Sequence, residues 1–131
     1  MTNRSKKAAH YGALAERAAR ERYGLEPAHS SWQDAETDDG RPVEVKSAMM
    51  NRRSGKIGRF RIFEDYHARL RREGGLYVFV LYSATGGSGG GGIRVQNMRS
   101  VDADALRLRF YSSGGHRDSQ QIKIHPHRVF R

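Results

Sequence analysis

The stretch RPVEVKSAMM, residues 41–50, sets an acid and an ammonium two places apart in a run that otherwise reads as a buried strand. An unpaired ion taken out of water is costly, so Glu44 and Lys46 on one face of a packed strand need partners. In HSSWQDAETDDGRPVEVKSAMM two strands read around a turn at Asp38-Asp39-Gly40, and the length of that turn decides which residues share a face. A two-residue Asp39-Gly40 loop pairs Asp34 with Val45 and turns it away from Glu44. A three-residue loop, 38–40, with Gly40 left-handed, pairs Asp34 directly with Glu44. Facing carboxylates repel, and a divalent cation between them makes the arrangement tolerable. Magnesium takes hard oxygen ligands and keeps several waters. It can polarise a phosphodiester, and an ammonium at the edge of such a site would hold the attacking water and stabilise developing negative charge. The three-residue register is therefore the expected one.

The elements that must position these groups follow from the patterning. Ala8, Tyr11, Leu14, Ala15, Ala18 and Ala19 recur at helical spacing over residues 5–24, and Gly24 closes the run. A second stripe, Gly12, Glu16, Ala19 and Tyr23, places the Glu16 carboxylate at the edge of the buried face. NRRSGKIGRFR, residues 51–61, is a basic, glycine-containing loop without an acid. FRIFEDYHARLRRE reads as a second helix, with Phe63, Tyr66 and Leu70 as its apolar stripe and Gly74-Gly75 as its stop. LYVFVLYSA, residues 76–84, is a central strand covered on both sides. TGGSGGGG, residues 85–92, is a flexible link, after which IRVQNM resumes the sheet. Ser100 caps a short helix through Leu106, and QQIKIHPHRVF alternates Ile122 and Ile124 as a last strand broken at Pro126. One domain over 1–131 is expected, with its core in about 5–84 and residues 93–131 as an extension of it.

Bulk charge agrees with the site. Twenty-four Lys and Arg against 14 acids give a net charge of +10 over 131 residues. The usual partner of such a surface is nucleic acid. Arginine dominates the cations, and its planar fork suits phosphate. Arg52, Arg53, Lys56, Arg59 and Arg61 are the leading phosphate contacts, with Lys6 and Lys7 behind them. The cations do not gather on one amphipathic helix and no apolar run spans a bilayer, so a membrane role is not expected. MTNRSKKAAHYG lacks the apolar block of a signal peptide. With no cysteine, there is neither a disulfide framework nor a thiolate site, and a reducing, cytoplasmic compartment is expected.

The order acid-bearing helix, Asp34, turn, EVK, basic loop, helix, apolar strand resembles the PD-(D/E)xK nucleases of the restriction-endonuclease-like fold. More narrowly, YGALAERAARERYG at residues 11–24 is similar to the first helix of archaeal Holliday junction resolvases. The resemblance covers about residues 8–84 and implies an α/β fold, a mixed sheet flanked by helices. It implies a Mg²⁺-dependent DNA endonuclease, with Mn²⁺ substituting. Glu16, Asp34, Glu44 and Lys46 are then the catalytic set. Asp34, Glu44 and the Val45 carbonyl bind metal, and Glu16 supports it directly or through water. Branched DNA is the implied substrate. Paired cuts in a symmetric four-way junction imply a homodimer, and roles in recombination and repair follow from that substrate. The alternatives are another repair, restriction-like or flap nuclease on the same scaffold, or a non-catalytic basic DNA-binding module.

Taken singly, each signal has a plainer reading. Glu44 and Lys46 alone read as an exposed edge pair, Asp34 as a turn-flanking polar residue, and Glu16 as a helix-surface acid pairing with Arg20. Glu36, Asp38 and Asp39 compete for metal, although the last two suit turn chemistry. His125 and His127 flank a proline without further spaced ligands and make a poor zinc site. His29 reads as polar strand entry and Trp32 as core. The joint order of the acids, the lysine and the basic charge carries the nuclease reading.

Overall fold

Small residues at helical spacing build the first element, α1, Thr2–Tyr23, and Gly24 at φ +62° ends it in the left-handed conformation that glycine adopts most easily. The computed structural model describes residues 2–28, 32–86, 91–111 and 120–130, with the side chains of the first helix from Lys7 onward. After α1 come the short strands β1 (Glu26–Pro27) and β2 (Ala35–Glu36), then β3 (Pro42–Met49). A crossover of β4 (Phe60–Phe63) and α2 (Glu64–Arg72) leads to β5 (Leu76–Ala84) and β6 (Ile93–Asp102). The chain closes with β7 (Gln121–Ile124) and a short α3 (Pro126–Val129).

The main sheet has the order β1-β2-β3-β5-β6. β3 and β5 run parallel, and the other neighbours are antiparallel. This is the expected α/β architecture, a mixed sheet flanked by helices. β5 lies inside the sheet and is buried from Leu76 to Tyr82, as its continuous apolar run requires. On one face the fully buried Ala15 and Ala19 bring α1 close over Val43, Val78 and Val80. On the other, Tyr77 and Phe79 pack under Leu70 of α2 and under the β4–β7 ribbon, which contributes Phe60, Ile62, Ile122 and Ile124. The Phe60 and Phe79 rings meet at 4.9 Å. Because successive strand residues alternate faces, Val43 and Val45 turn toward α1. Glu44, Lys46 and Ala48 turn toward the ribbon.

Two sequence expectations need correction. Residues 60–63 are a strand and not the start of the second helix. Phe60 and Ile62 are buried while Arg61 is exposed, a period of two that pairs with β7. The helix begins at Glu64, its buried residues are His67 and Leu70, and Tyr66 is exposed. Likewise, β6 continues through Ser100 to Asp102, which pairs with Leu76. Only Ala103–Ala105 form a single 3-10 turn. The glycine-rich link joins an antiparallel hairpin in which Ala84 faces Ile93, and residues 87–90 within it lie outside the described residues, as do 112–119. Among the described residues, no helix is long and apolar enough to cross a membrane.

Candidate active site

The turn between β2 and β3 has three residues. Ala35 pairs with Val43 and Glu36 with Pro42. Thr37 N donates to Arg41 O at 2.9 Å, and Gly40 sits at φ +87°. One step further this register sets Asp34 opposite Glu44. There the backbone ladder ends. Asp34 N donates to Val43 O at 2.9 Å, and Asp34 Oδ2 accepts the Val45 N–H at 2.7 Å. The aspartate carboxylate thus stands where the carbonyl of a continued strand would be. A strand residue directs its N–H and C=O to the same edge, so the Val45 carbonyl also faces the edge that β2 has left.

Lys46 Nζ lies 3.6 Å from Glu44 Oε1, and the two side chains are only 20% and 19% exposed. Burial pushes the Glu44 carboxyl up to about 7; the Lys46 charge opposes the rise, while the charge of Asp34 and a hydrogen bond with it add to it. Near neutral pH the Glu44 carboxyl therefore holds a proton that a cation can replace. Among the described residues, no three His, Asp or Glu side chains form a group that could hold a metal ion. What the edge offers is two carboxylates and a backbone carbonyl. That all-oxygen set fits a hard divalent cation that completes its shell with water.

Glu16 comes from α1, on the opposite face of the sheet from Glu44. Its carboxyl is raised by burial and by the Asp34 charge, with Arg20 opposing. Asp34, at the sheet edge, is the member felt from both faces. Behind Glu44 stands a group that sequence reasoning missed. Tyr77 neighbours Glu44 in the β3–β5 register, and its hydroxyl lies 2.7 Å from His67 Nδ1. Burial and then the Glu44 charge push the Tyr77 phenol upward, which keeps it a neutral donor. Burial and Arg71 lower His67, which favours the neutral ring, and the tautomer that accepts the Tyr77 O–H at Nδ1 carries its own proton on Nε2. The only advance signal was helical: His67 lies three before Leu70, on the same stripe.

Past Lys46, the end of β3 lines a cleft of about 840 Å³. Ser47, Ala48 and Met49 border it together with Arg52, Lys56, Arg59 and Arg61. The basic loop crosses tightly over the strand end: Gly58 N donates to Met49 O at 2.8 Å, and a Cβ on Gly58 would stand 3.0 Å from the Met49 backbone. Arg53 is exposed and does not line the cleft. Lys7 is exposed on α1, while the Lys6 side chain and His29 lie outside the described residues. Trp32 packs at the rim of the core with the Arg69 guanidinium 4.2 Å from its ring centroid. Sequence reasoning also missed Lys123 and His125, which line the cleft from the C-terminal strand.

A family model described as the PD-(D/E)XK nuclease superfamily domain matches residues 2–131. No curated protein matches the chain significantly.

Proposed function

This chain belongs to the PD-(D/E)XK nuclease superfamily, and on that premise we propose that it is a Mg²⁺-dependent endonuclease that hydrolyses DNA phosphodiesters, structure-specific in the manner of archaeal Holliday junction resolvases. The observation that carries this reading is the end of β2, where Asp34 leaves the ladder to face Glu44 with Lys46 3.6 Å from that carboxylate. Asp34, Glu44 and the Val45 carbonyl hold the cation, Mg²⁺ with Mn²⁺ as a substitute. When bound, it supplies Lewis-acid polarisation of the phosphodiester. Asp34 is fixed by the Val45 N–H and orients the pair. Lys46 positions the attacking water and stabilises negative charge as it develops on the phosphate. Glu16, which feels the Asp34 charge across the sheet edge, supports the cation directly or through one of its waters. Arg52, Lys56, Arg59 and Arg61 receive the flanking phosphates, and Arg53, Lys6 and Lys7 are the further phosphate contacts of this reading.

Junction resolution needs two symmetric cuts, so the active species is a homodimer with a two-fold axis. The test is a panel of four-way junction, flap, nicked, single-stranded and linear duplex DNA in Mg²⁺. Paired symmetric nicks confined to the junction are expected. Cutting confined to another structure would overturn the junction assignment and make the protein a repair, restriction-like or flap nuclease on the same scaffold. Salt-sensitive DNA binding with no cleavage and no metal effect would leave a binding module.

A further inference from the structure

The β4–β7 ribbon carries a like-charge pair of its own. Arg61 and Lys123 are direct cross-strand partners, both exposed, while their neighbours Phe60, Ile62, Ile122 and Ile124 are buried beneath them. Directly opposed cations destabilise a ladder unless an anion lies over them. The Phe60–Ile124 pair extends by one step to Arg59 and His125, and all four outward residues line the cleft that begins at Ser47, the residue after Lys46. His125 Nδ1 accepts the His127 N–H at 3.1 Å, which leaves its Nε2 as the donor available to the cleft.

We infer that this ribbon is the backbone-tracking wall of the nuclease, with Lys123 and Arg61 jointly holding one phosphate of the cleaved strand a short way past the scissile one. The inference rests on the nuclease reading and deepens it by naming what the C-terminal segment does. The row has a definite chemistry. Arg61 and Lys123 stand directly opposite each other, so one phosphate laid over both satisfies the two cations at once, whereas a guanine edge engages a single Arg or Lys. The ribbon therefore grips backbone and contributes affinity independent of sequence. The buried half of the ribbon makes it rigid, since Phe60, Ile62, Ile122 and Ile124 anchor it in the core. Lys123 and Arg61 can be changed without disturbing that anchor.

The experiment measures anisotropy of labelled DNA of three unrelated sequences from 50 to 200 mM salt without divalent metal. It compares wild type, Lys123→Ala, Arg61→Ala/Lys123→Ala and, as a distant cation, Arg17→Ala. Loss of one phosphate contact removes about one from the log–log salt slope and roughly eight-fold in affinity at about 0.1 M salt. Lys123→Ala should lose affinity by the same factor on all three sequences, and the double variant should lose more. Arg17→Ala should keep the wild-type slope. In Mg²⁺, the ribbon variants should raise KM with kcat unchanged, the signature of uniform binding. If Lys123→Ala and the double variant keep the wild-type slope, affinity and KM while wild type cuts DNA, the ribbon assignment is overturned and the nuclease reading stands. If the ribbon variants lose affinity as expected but no Glu44-dependent cutting is found, the ribbon stands and the nuclease reading falls. A loss confined to one sequence would also overturn it, because that would be base readout.

Discussion

Replacing Glu44 with glutamine should stabilise the metal-free protein at pH 8 and have little effect near pH 4. Glu44 titrates at about 7 in the folded chain against 4.5 as an ordinary carboxylate, with burial as the main cause. A carboxyl raised in this way favours folding while protonated. Its contribution is complete below 4.5 and is lost as pH climbs through 7. At about 1.36 kcal/mol per pH unit, the gap amounts to at most about 3 kcal/mol. Lys46 at 3.6 Å loses its partner in the variant, so a net gain of about 1–3 kcal/mol is expected, or roughly 4–12 °C in Tm for a chain of this size. Glutamine is neutral at every pH and can still donate to Asp34, so it mimics the protonated acid. The assay is a thermal melt of both proteins from pH 4 to 8.5, with and without Mg²⁺. Mg²⁺ should raise the wild-type Tm at pH 8, by about 2.7 kcal/mol of stability at a hundred-fold excess over Kd, and leave Glu44→Gln unmoved. A variant less stable than wild type at pH 8, or a difference that does not change with pH, would refute the reasoning.

Other substitutions separate the roles of neighbouring groups. Asp34→Asn keeps an oxygen for the Val45 N–H and should melt within about 1 kcal/mol of wild type while cutting falls by about 10²-fold or more; Asp34→Ala orphans that N–H and should cost about 1–3 kcal/mol besides. Both parts are read by melts and single-turnover rates. Tyr77→Phe leaves the buried His67 Nδ1 without its 2.7 Å partner and should destabilise by about 1–3 kcal/mol in denaturant titration. Gly75→Ala would place a Cβ 2.5 Å from Leu70 Cδ1 and 2.7 Å from the Pro42 carbonyl, and should cost about 1–3 kcal/mol through strain where α2 returns to the sheet.

How legible was this in the sequence? The β2–β3 turn could be read because its register followed from a local choice of loop length and from the chemistry that two facing acids require. β5 could be read because seven successive buried residues admit no other placement in a mixed sheet. The β4–β7 ribbon could not. Phe60 and Ile62 alternate as a strand should, but the four residues of β4 run straight into a helix, and their partner lies at the other end of the chain. Reading them as helix hid the Arg61–Lys123 pair, and with it the C-terminal wall of the cleft. Tyr77 was hidden for a different reason. In an apolar run it reads as core, and only the parallel register sets it beside Glu44. Asp34 was expected to pair with Glu44 as a strand residue. Instead it ends the strand, and its side chain replaces the ladder.

The most direct test of the central claim is hydrolysis of DNA in Mg²⁺ by wild type and Glu44→Ala side by side, on substrates that include a four-way junction, with chelator as the blank. The account predicts cutting by wild type, none in chelator, and a loss of about 10²-fold or more in the variant while its DNA binding is retained. Equal cutting by both proteins, or none by wild type in Mg²⁺ and Mn²⁺, would contradict it and leave Glu44 and Lys46 as a charged pair at a strand edge.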